Sequence, residues 1–311
     1  MQEDAAKFSF ELYPPRSEAA ERALFEAIER LTAVGPEFIS VTYRPNSPDR
    51  AASLAVLGRL LRDHRVHAMA HLTCVGSSYA EAGQIIREFL DAGVTSFLAL
   101  RGDPPPGETD AEPFLGDIAS AAELVQLIHR VQQEREPFGL QDIPGFPGAK
   151  RLRSGEKVTI AVAAFPNGHP RSRSRSQDID TMLAKEAAGA NLAITQLFFY
   201  PEEYLEFVAQ ARAAGVTMRI LPGIMPVSNP KQLARIVELT EETMPMALLR
   251  ALEASEDAAV QKEIGIEHAT ALVRAVLDGG ADGVHLYTYN KSEAALEVLQ
   301  RAGLIRSEQP A

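Results

Sequence analysis

LAITQLFFY, residues 192–200, carries the pattern that decides the fold. A glycine, Gly189, closes the helical pattern before it. A short apolar, β-favouring run follows, and the run ends in a polar side chain, Gln196. The same order recurs along the chain. Upstream stand FSFELYPP (8–15), FISVTY (38–43), HAMAHLTC (67–74), SFLALRGD (96–103) and VTIAVAAFP (158–166), and downstream RILPGIMPV (219–227) and GVHLYTY (283–289). Their ends carry Glu11, Thr42, His71 with Thr73, Asp103, His169 just beyond the run, Ser228 and Tyr289. In a barrel of eight βα units the C-terminal strand ends share one rim, and that rim holds the active site.

Between these runs lie helical patterns. Leu24, Ala27, Ile28 and Leu31 recur at i, i+3, i+4, i+7 and predict one apolar stripe. Ser78 and Glu81 have the spacing of a capping box. Gly35, Gly93, Gly189, Gly215 and Gly280 each follow a helical pattern shortly before the next strand, where a left-handed residue ends a helix cheaply. The pattern predicts an α/β fold, a (β/α)8 TIM barrel with strands starting near 8, 38, 67, 96, 158, 192, 219 and 283. Longer connections are expected after strands four and seven, at 104–157 and 228–282. A doubly wound open sheet is the alternative; it fits less well because no G-x-G-x-x-G follows the first strand.

The 311 residues, 46% of them hydrophobic, suit a single domain over 1–311 with an ordered core of about 8–303. Cys74 is the lone cysteine, so no internal disulfide forms, which fits a reducing compartment. The start, MQEDAAKF, lacks the basic-then-apolar order of a secretion signal, and no run of roughly 18 apolar residues exists. A cytoplasmic protein with no membrane partner is expected. The net charge of −11 argues against a nucleic-acid partner. Neither H-x-x-x-H nor a His/Cys cluster suggests a metal. The sequence leaves a homo-oligomer open.

Several tip residues suit chemistry. Glu11 stands among apolar neighbours before Pro14–Pro15; desolvation at a barrel mouth raises a carboxyl's pKa and suits a general acid. Pairing with an arginine such as Arg101 is the structural alternative. Arg101, Gly102 and Asp103 fall together at the rim. His71 and Thr73 alternate, so they face one side of their strand. Gln196 needs partners for both its donor and its acceptor, which a heterocycle's amide-like edge or a neighbouring backbone would supply. Arg171, Arg173 and Arg175 form a basic run for which a solvated loop is the better reading and anion binding at a helix N-terminus the sharper one.

FSFELYPPR, SVTY, HLTC, LALRGDPP, VAAFPNGHP, AGANLAITQLFF, LPGIMPVSN and HLYTYN together resemble the methylenetetrahydrofolate reductase family, in family order from about Phe8 to Gly303. The resemblance is to the bacterial catalytic barrel alone. It implies a flavoenzyme in which NADH or NADPH passes hydride to FAD, and the reduced flavin passes it to 5,10-methylenetetrahydrofolate to give 5-methyltetrahydrofolate, feeding methionine synthesis. NADH is implied by analogy with bacterial members. Glu11 matches the family's catalytic glutamate, Asp103 its aspartate beside the flavin, and Gln196 the glutamine that bonds the pterin. Thr42, His71, Arg101, Gly102, Ala163, Phe165, His169, Asp178 and Lys185 fall on flavin-contacting positions, and Gln232 and Lys291 near positions contacting folate or nicotinamide.

The chain departs from the family at Arg44, Pro45 and Asn46, where a small Gly-Ala stretch is usual. Phe114, Phe165 and Thr181 stand where relatives often have tyrosine, tyrosine and asparagine. Ala184 lacks a basic side chain found in some relatives, and Ile236 replaces an aromatic that can line the substrate site. These changes bear on FAD affinity, and Arg171–Arg175 could compensate by contacting the pyrophosphate. Two other readings follow: direct hydride transfer from NADH to the same substrate without flavin, and a non-catalytic folate-binding barrel.

Overall fold

A computed structural model describes residues 6–43, 49–73, 76–102, 116–135, 139–142, 150–153 and 158–306. Strands and helices alternate: β1 (Lys7–Leu12), α1 (Glu18–Ala33), β2 (Phe38–Val41), α2 (Asp49–Arg59) with a π-helical last turn (Leu60–His64), β3 (Ala68–Thr73), α3 (Tyr79–Asp91) and β4 (Ser96–Leu100). After α4 (Ala121–Arg135) comes an antiparallel hairpin, β5 (Gly139–Asp142) and β6 (Lys150–Arg153). Then follow β7 (Thr159–Ala164), α5 (Arg175–Ala187), β8 (Leu192–Thr195), α6 (Pro201–Ala213), β9 (Arg219–Leu221) and β10 (Gly223–Ile224). Three helices, α7 (Pro230–Thr240), α8 (Met246–Glu253) and α9 (Ala258–Asp278), lead to β11 (Gly283–Tyr287) and α10 (Ser292–Arg301).

The main sheet is parallel, in the order β10-β11-β1-β2-β3-β4-β7-β8-β9. The strands follow one another in chain order and the last, β11, returns to β1, whereas a doubly wound sheet reverses direction at its first strand. Among the described residues the main sheet has nine strands rather than the expected eight because the seventh stave is split. Pro222 has no N–H to donate, so β9 bonds β8 on one side and β10 bonds β11 on the other. The Pro222 carbonyl accepts the His285 N–H at 2.9 Å, so the ring closes through the proline. The fold is a (β/α)8 TIM barrel.

Alternation along each strand sorts the side chains. Phe10, Leu12, Ile39, Val41, Ala70, Phe97, Ile160, Val162, Ile220, Val284 and Leu286 pack outward against the helices. Inside, Phe38, Met69, Leu98, Ala161, Leu192, Ile194 and Leu221 form a second apolar cluster. Beside it, β1, β2, β3 and β11 contribute the buried polar residues Ser9, Glu11, Ser40, His71 and His285. The lumen is therefore apolar on one flank and polar on the other.

Local signals account for the helices. Leu24, Ala27, Ile28 and Leu31 are all buried. The Ser78/Glu81 capping box closes reciprocally at the start of α3. Gly35, Gly93, Gly189, Gly215 and Gly280 all take positive φ, between 70° and 110°. Among the described residues no helix is long and apolar enough to cross a membrane.

Candidate active site

The polar flank of the lumen opens on a cavity of about 200 Å³ at the C-terminal end of the barrel, lined by Glu11, Tyr13, Gln196, Leu197, Met225, Ile236, Leu239, Thr240, Tyr287 and Tyr289. Glu11 lies at its floor, 8% exposed. Burial pushes the Glu11 carboxyl up to about 8, and a hydrogen bond with Tyr13 opposes that rise. His71 Nε2 is 3.5 Å from Glu11 Oε2 but lacks hydrogen-bond geometry. Burial lowers the imidazole to about 3, so at neutral pH a neutral histidine faces a protonated acid, and the contact is no ion pair. Arg101 is not Glu11's partner; its charge is felt at His169.

The backbone around Glu11 is fixed by side chains. Thr288 Oγ1 donates to the Glu11 carbonyl at 2.7 Å, and Asn290 bonds both the N–H and the C=O of Tyr13, at 2.7 and 2.9 Å. Tyr287 donates to the Thr195 carbonyl at 2.7 Å, and Thr195 Oγ1 accepts the Gly223 N–H at 2.8 Å, tying β8, β10 and β11 together beneath the cavity. Gln196 Oε1 accepts the Leu197 N–H at 2.9 Å. Its amide N–H₂ has no bond to another described residue. Below Glu11, Ser9 Oγ is 2.8 Å from His285 Nδ1.

A second cavity, of about 170 Å³, lies at the N-terminus of α5, lined by Asn167, Gly168, His169, Ser172, Arg173, Ser174, Arg175 and Asp178. Asp178 accepts from the His169 N–H at 3.2 Å and from the Ser172 hydroxyl. Ser174 caps α5 through the Gln177 N–H. The His169 ring meets Phe165 edge-on at 4.6 Å, and burial with the charges of Arg101 and Arg171 lowers its pKa. Lys185 donates to the Ala163 carbonyl at 2.8 Å, and burial lowers its ammonium to about 8. The basic run is not simply solvated: Arg175 turns inward to the Phe165 and Pro166 carbonyls. That guanidinium braces the loop.

The methylenetetrahydrofolate reductase family sequence model matches residues 1–303. The chain belongs to the methylenetetrahydrofolate reductase family. The 5,10-methylenetetrahydrofolate reductase of Salmonella typhimurium (strain LT2) is 33% identical over 297 residues, 95% of this chain and 90% of that protein. Methylenetetrahydrofolate reductase (NADH) 1 of Arabidopsis thaliana is 32% identical over 309 residues, 96% of this chain and 48% of that protein. Among solved structures, an uncharacterized protein from Clostridium thermocellum that binds two copies of 5-methyl-5,6,7,8-tetrahydrofolic acid aligns with a TM-score of 0.58 at 13% identity, covering 96% of this chain and 93% of that one. At that identity the likeness concerns the fold.

The residues that the sequence resemblance singles out divide between the two cavities. Glu11 and Gln196 line the first. His169 and Asp178 line the second, with Ala163, Phe165 and Lys185 bonded or packed around it. His71 joins the first cluster through Glu11. Thr42 ends β2 with its carbonyl accepting from Ser53 at 2.9 Å, and Gly102 takes φ 84°. Gln232 and Lys291 lie at the same end of the barrel but line neither cavity: Gln232 Oε1 accepts the Ser228 N–H, and exposed Lys291 precedes α10. Thr181 is exposed and bonds the Gln177 carbonyl. Asp103, Phe114 and Arg44, Pro45 and Asn46 lie outside the described residues.

The second cavity suits the anionic part of FAD: a polar wall, a capped helix N-terminus and nearby Arg101 and Lys185. On β3, Thr73 Oγ1 and His71 Nε2 are buried with no hydrogen-bond partner among the described residues. The sequence reading missed Tyr13, Tyr287 and Met225 as lining residues. Tyr287 had a signal, since it alternates with His285 and so shares its face of the strand.

Proposed function

We propose that this chain reduces 5,10-methylenetetrahydrofolate to 5-methyltetrahydrofolate at the expense of NADH, with FAD held against the α5 N-terminus. The observation that carries this reading is Glu11: a buried carboxyl that keeps its proton at neutral pH, at the floor of a cavity that also presents Gln196. Glu11 donates its proton to the bridging nitrogen as the methylene bridge opens, leaving an electrophilic carbon that accepts hydride. His71, held neutral, adds no positive charge that would draw the proton off Glu11. The Gln196 amide meets the amide-like edge of the pterin, which orients the folate. FAD, when bound, supplies hydride drawn from NADH. Ala163, Phe165, His169, Asp178 and Lys185 would hold it, with Thr42, Arg101 and Gly102 from neighbouring strand ends and, as the resemblance implies, Asp103.

The test is the visible spectrum of the purified protein before and after FAD is added and the sample desalted, together with NADH oxidation with and without methylenetetrahydrofolate. A retained flavin spectrum with folate-dependent NADH oxidation is expected. A colourless protein with the same activity would replace the flavin relay by direct transfer. A colourless, inactive protein that still binds folate would make this a binding barrel.

A further inference from the structure

Two consecutive residues at the mouth of the first cavity, Tyr289 and Asn290, take left-handed backbone angles, φ 51° and 59°. Asparagine tolerates that region; for a ring as bulky as tyrosine it is costly and persists only when surroundings impose it. Here the surroundings are explicit. Asn290 clasps both backbone groups of Tyr13, and the Asn290 N–H is bonded in turn by Thr288 Oγ1 at 3.1 Å. The result is a ring displayed rather than buried: Tyr289 is 36% exposed, stands 5.8 Å from the Tyr13 ring at a tilt of 49°, and lines the cavity whose floor is Glu11. Ile236 and Leu239 line the same cavity, and Leu239 is left 58% exposed. A ligand whose reactive end reaches Glu11 shares that cavity with the Tyr289 ring.

We propose that Tyr289, backed by Tyr13, is the stacking wall for the aminobenzoyl ring of the folate substrate, and that Asn290 is the positioning residue that holds it there. This rests on the folate reading above. In a folate the segment beyond the reacting bridge is a planar aromatic ring, and such a ring gains most from an offset or edge contact with another. In this chain Ile236 and Leu239 give the cavity aliphatic surface, and the exposed aromatic surface at it comes from Tyr289.

The test titrates the full-length protein with 5-methyltetrahydrofolate and with tetrahydropterin, which lacks the aminobenzoyl ring. Tyr289→Leu should weaken 5-methyltetrahydrofolate about three- to tenfold, and Tyr289→Phe by less than about twofold. Asn290→Gly keeps the left-handed backbone but loses the clasp, and should fall between them. Tetrahydropterin should bind wild type and variants alike. In turnover, the KM for methylenetetrahydrofolate should rise in Tyr289→Leu. Unchanged folate binding in Tyr289→Leu overturns the proposal, as does an equal loss of both probes, which would mark a structural role. A wild-type protein that binds neither probe overturns the folate reading itself and this one with it.

Discussion

A carboxyl whose pKa stands at about 8 gives up its proton only as the medium becomes alkaline, so Glu11 can act as an acid across the neutral range and fails above it. Folate reduction should therefore hold steady towards neutral pH and fall with an alkaline limb near 8, read from kcat/KM against pH. Glu11→Gln should lower kcat by about 10²- to 10⁴-fold while folate still binds; near-wild-type turnover would remove Glu11 from the chemistry. The same group affects stability. Its pKa is raised from 4.5 on folding, so the folded state holds a proton that the unfolded chain loses. Stability from this residue is fully present below pH 4.5 and declines until about pH 8. Glu11→Gln should thus melt higher than wild type at pH 8 and alike at pH 4. The raised pKa was legible in sequence because a carboxylate sat in an apolar run. Its neighbour was not: nothing in the order of residues distinguishes Arg101 from His71 as the partner, since strand register decides it.

Among the elements, α9 makes the closest approach to the site's supporting loop. A Cβ on Gly265 would come within 1.5 Å of the Val227 carbonyl, so helix and loop pack at backbone distance just beyond β10. Gly265→Ala must push α9 off that loop. It should cost at least about 1–3 kcal/mol, the usual range for overpacking, seen as a lower thermal midpoint. It should also raise KM, because the loop leads into α7 and Ile236 of the cavity wall. Unchanged melting would mean the contact relaxes freely. Helix stripes, the Ser78 cap and the glycines that end helices were all legible, because each obeys a local rule. Gly265 was not, since its reason lies in a contact between segments 38 residues apart in sequence (265 less 227).

For the whole molecule, the two ends of the barrel do different work. At the N-terminal rim Arg219 contacts Glu37 at 2.7 Å and Asp282 at 3.1 Å, joining β9 to the loops before β2 and β11. It is far from both cavities along its stave. Arg219→Met should therefore cost only about 1 kcal/mol of stability, since Asp282 is largely exposed and Glu37 keeps Lys7 at 3.8 Å, with kcat and KM unchanged at 25 °C. A comparable loss of activity would deny that separation. The eight-stave plan was legible because every strand start fell within a residue or so of its expected place. The division of strand seven was not, although Pro222 stood in plain view, because a proline in an apolar run does not reveal which neighbour each half will join.

That division bears on how the protein comes together. β9 pairs with β8 through three residues and β10 with β11 through two, against five between β1 and β11 and five between β3 and β4. The strands from β1 to β8 can add one after another through contacts local in sequence. β11 must return to β1 over some 276 residues, and long-range closure is slow because chain entropy is lost before contacts form. The β11–β1 seam is thus expected to close last on folding, and the jointed stave, with the fewest bonds to its neighbours, to part first on unfolding.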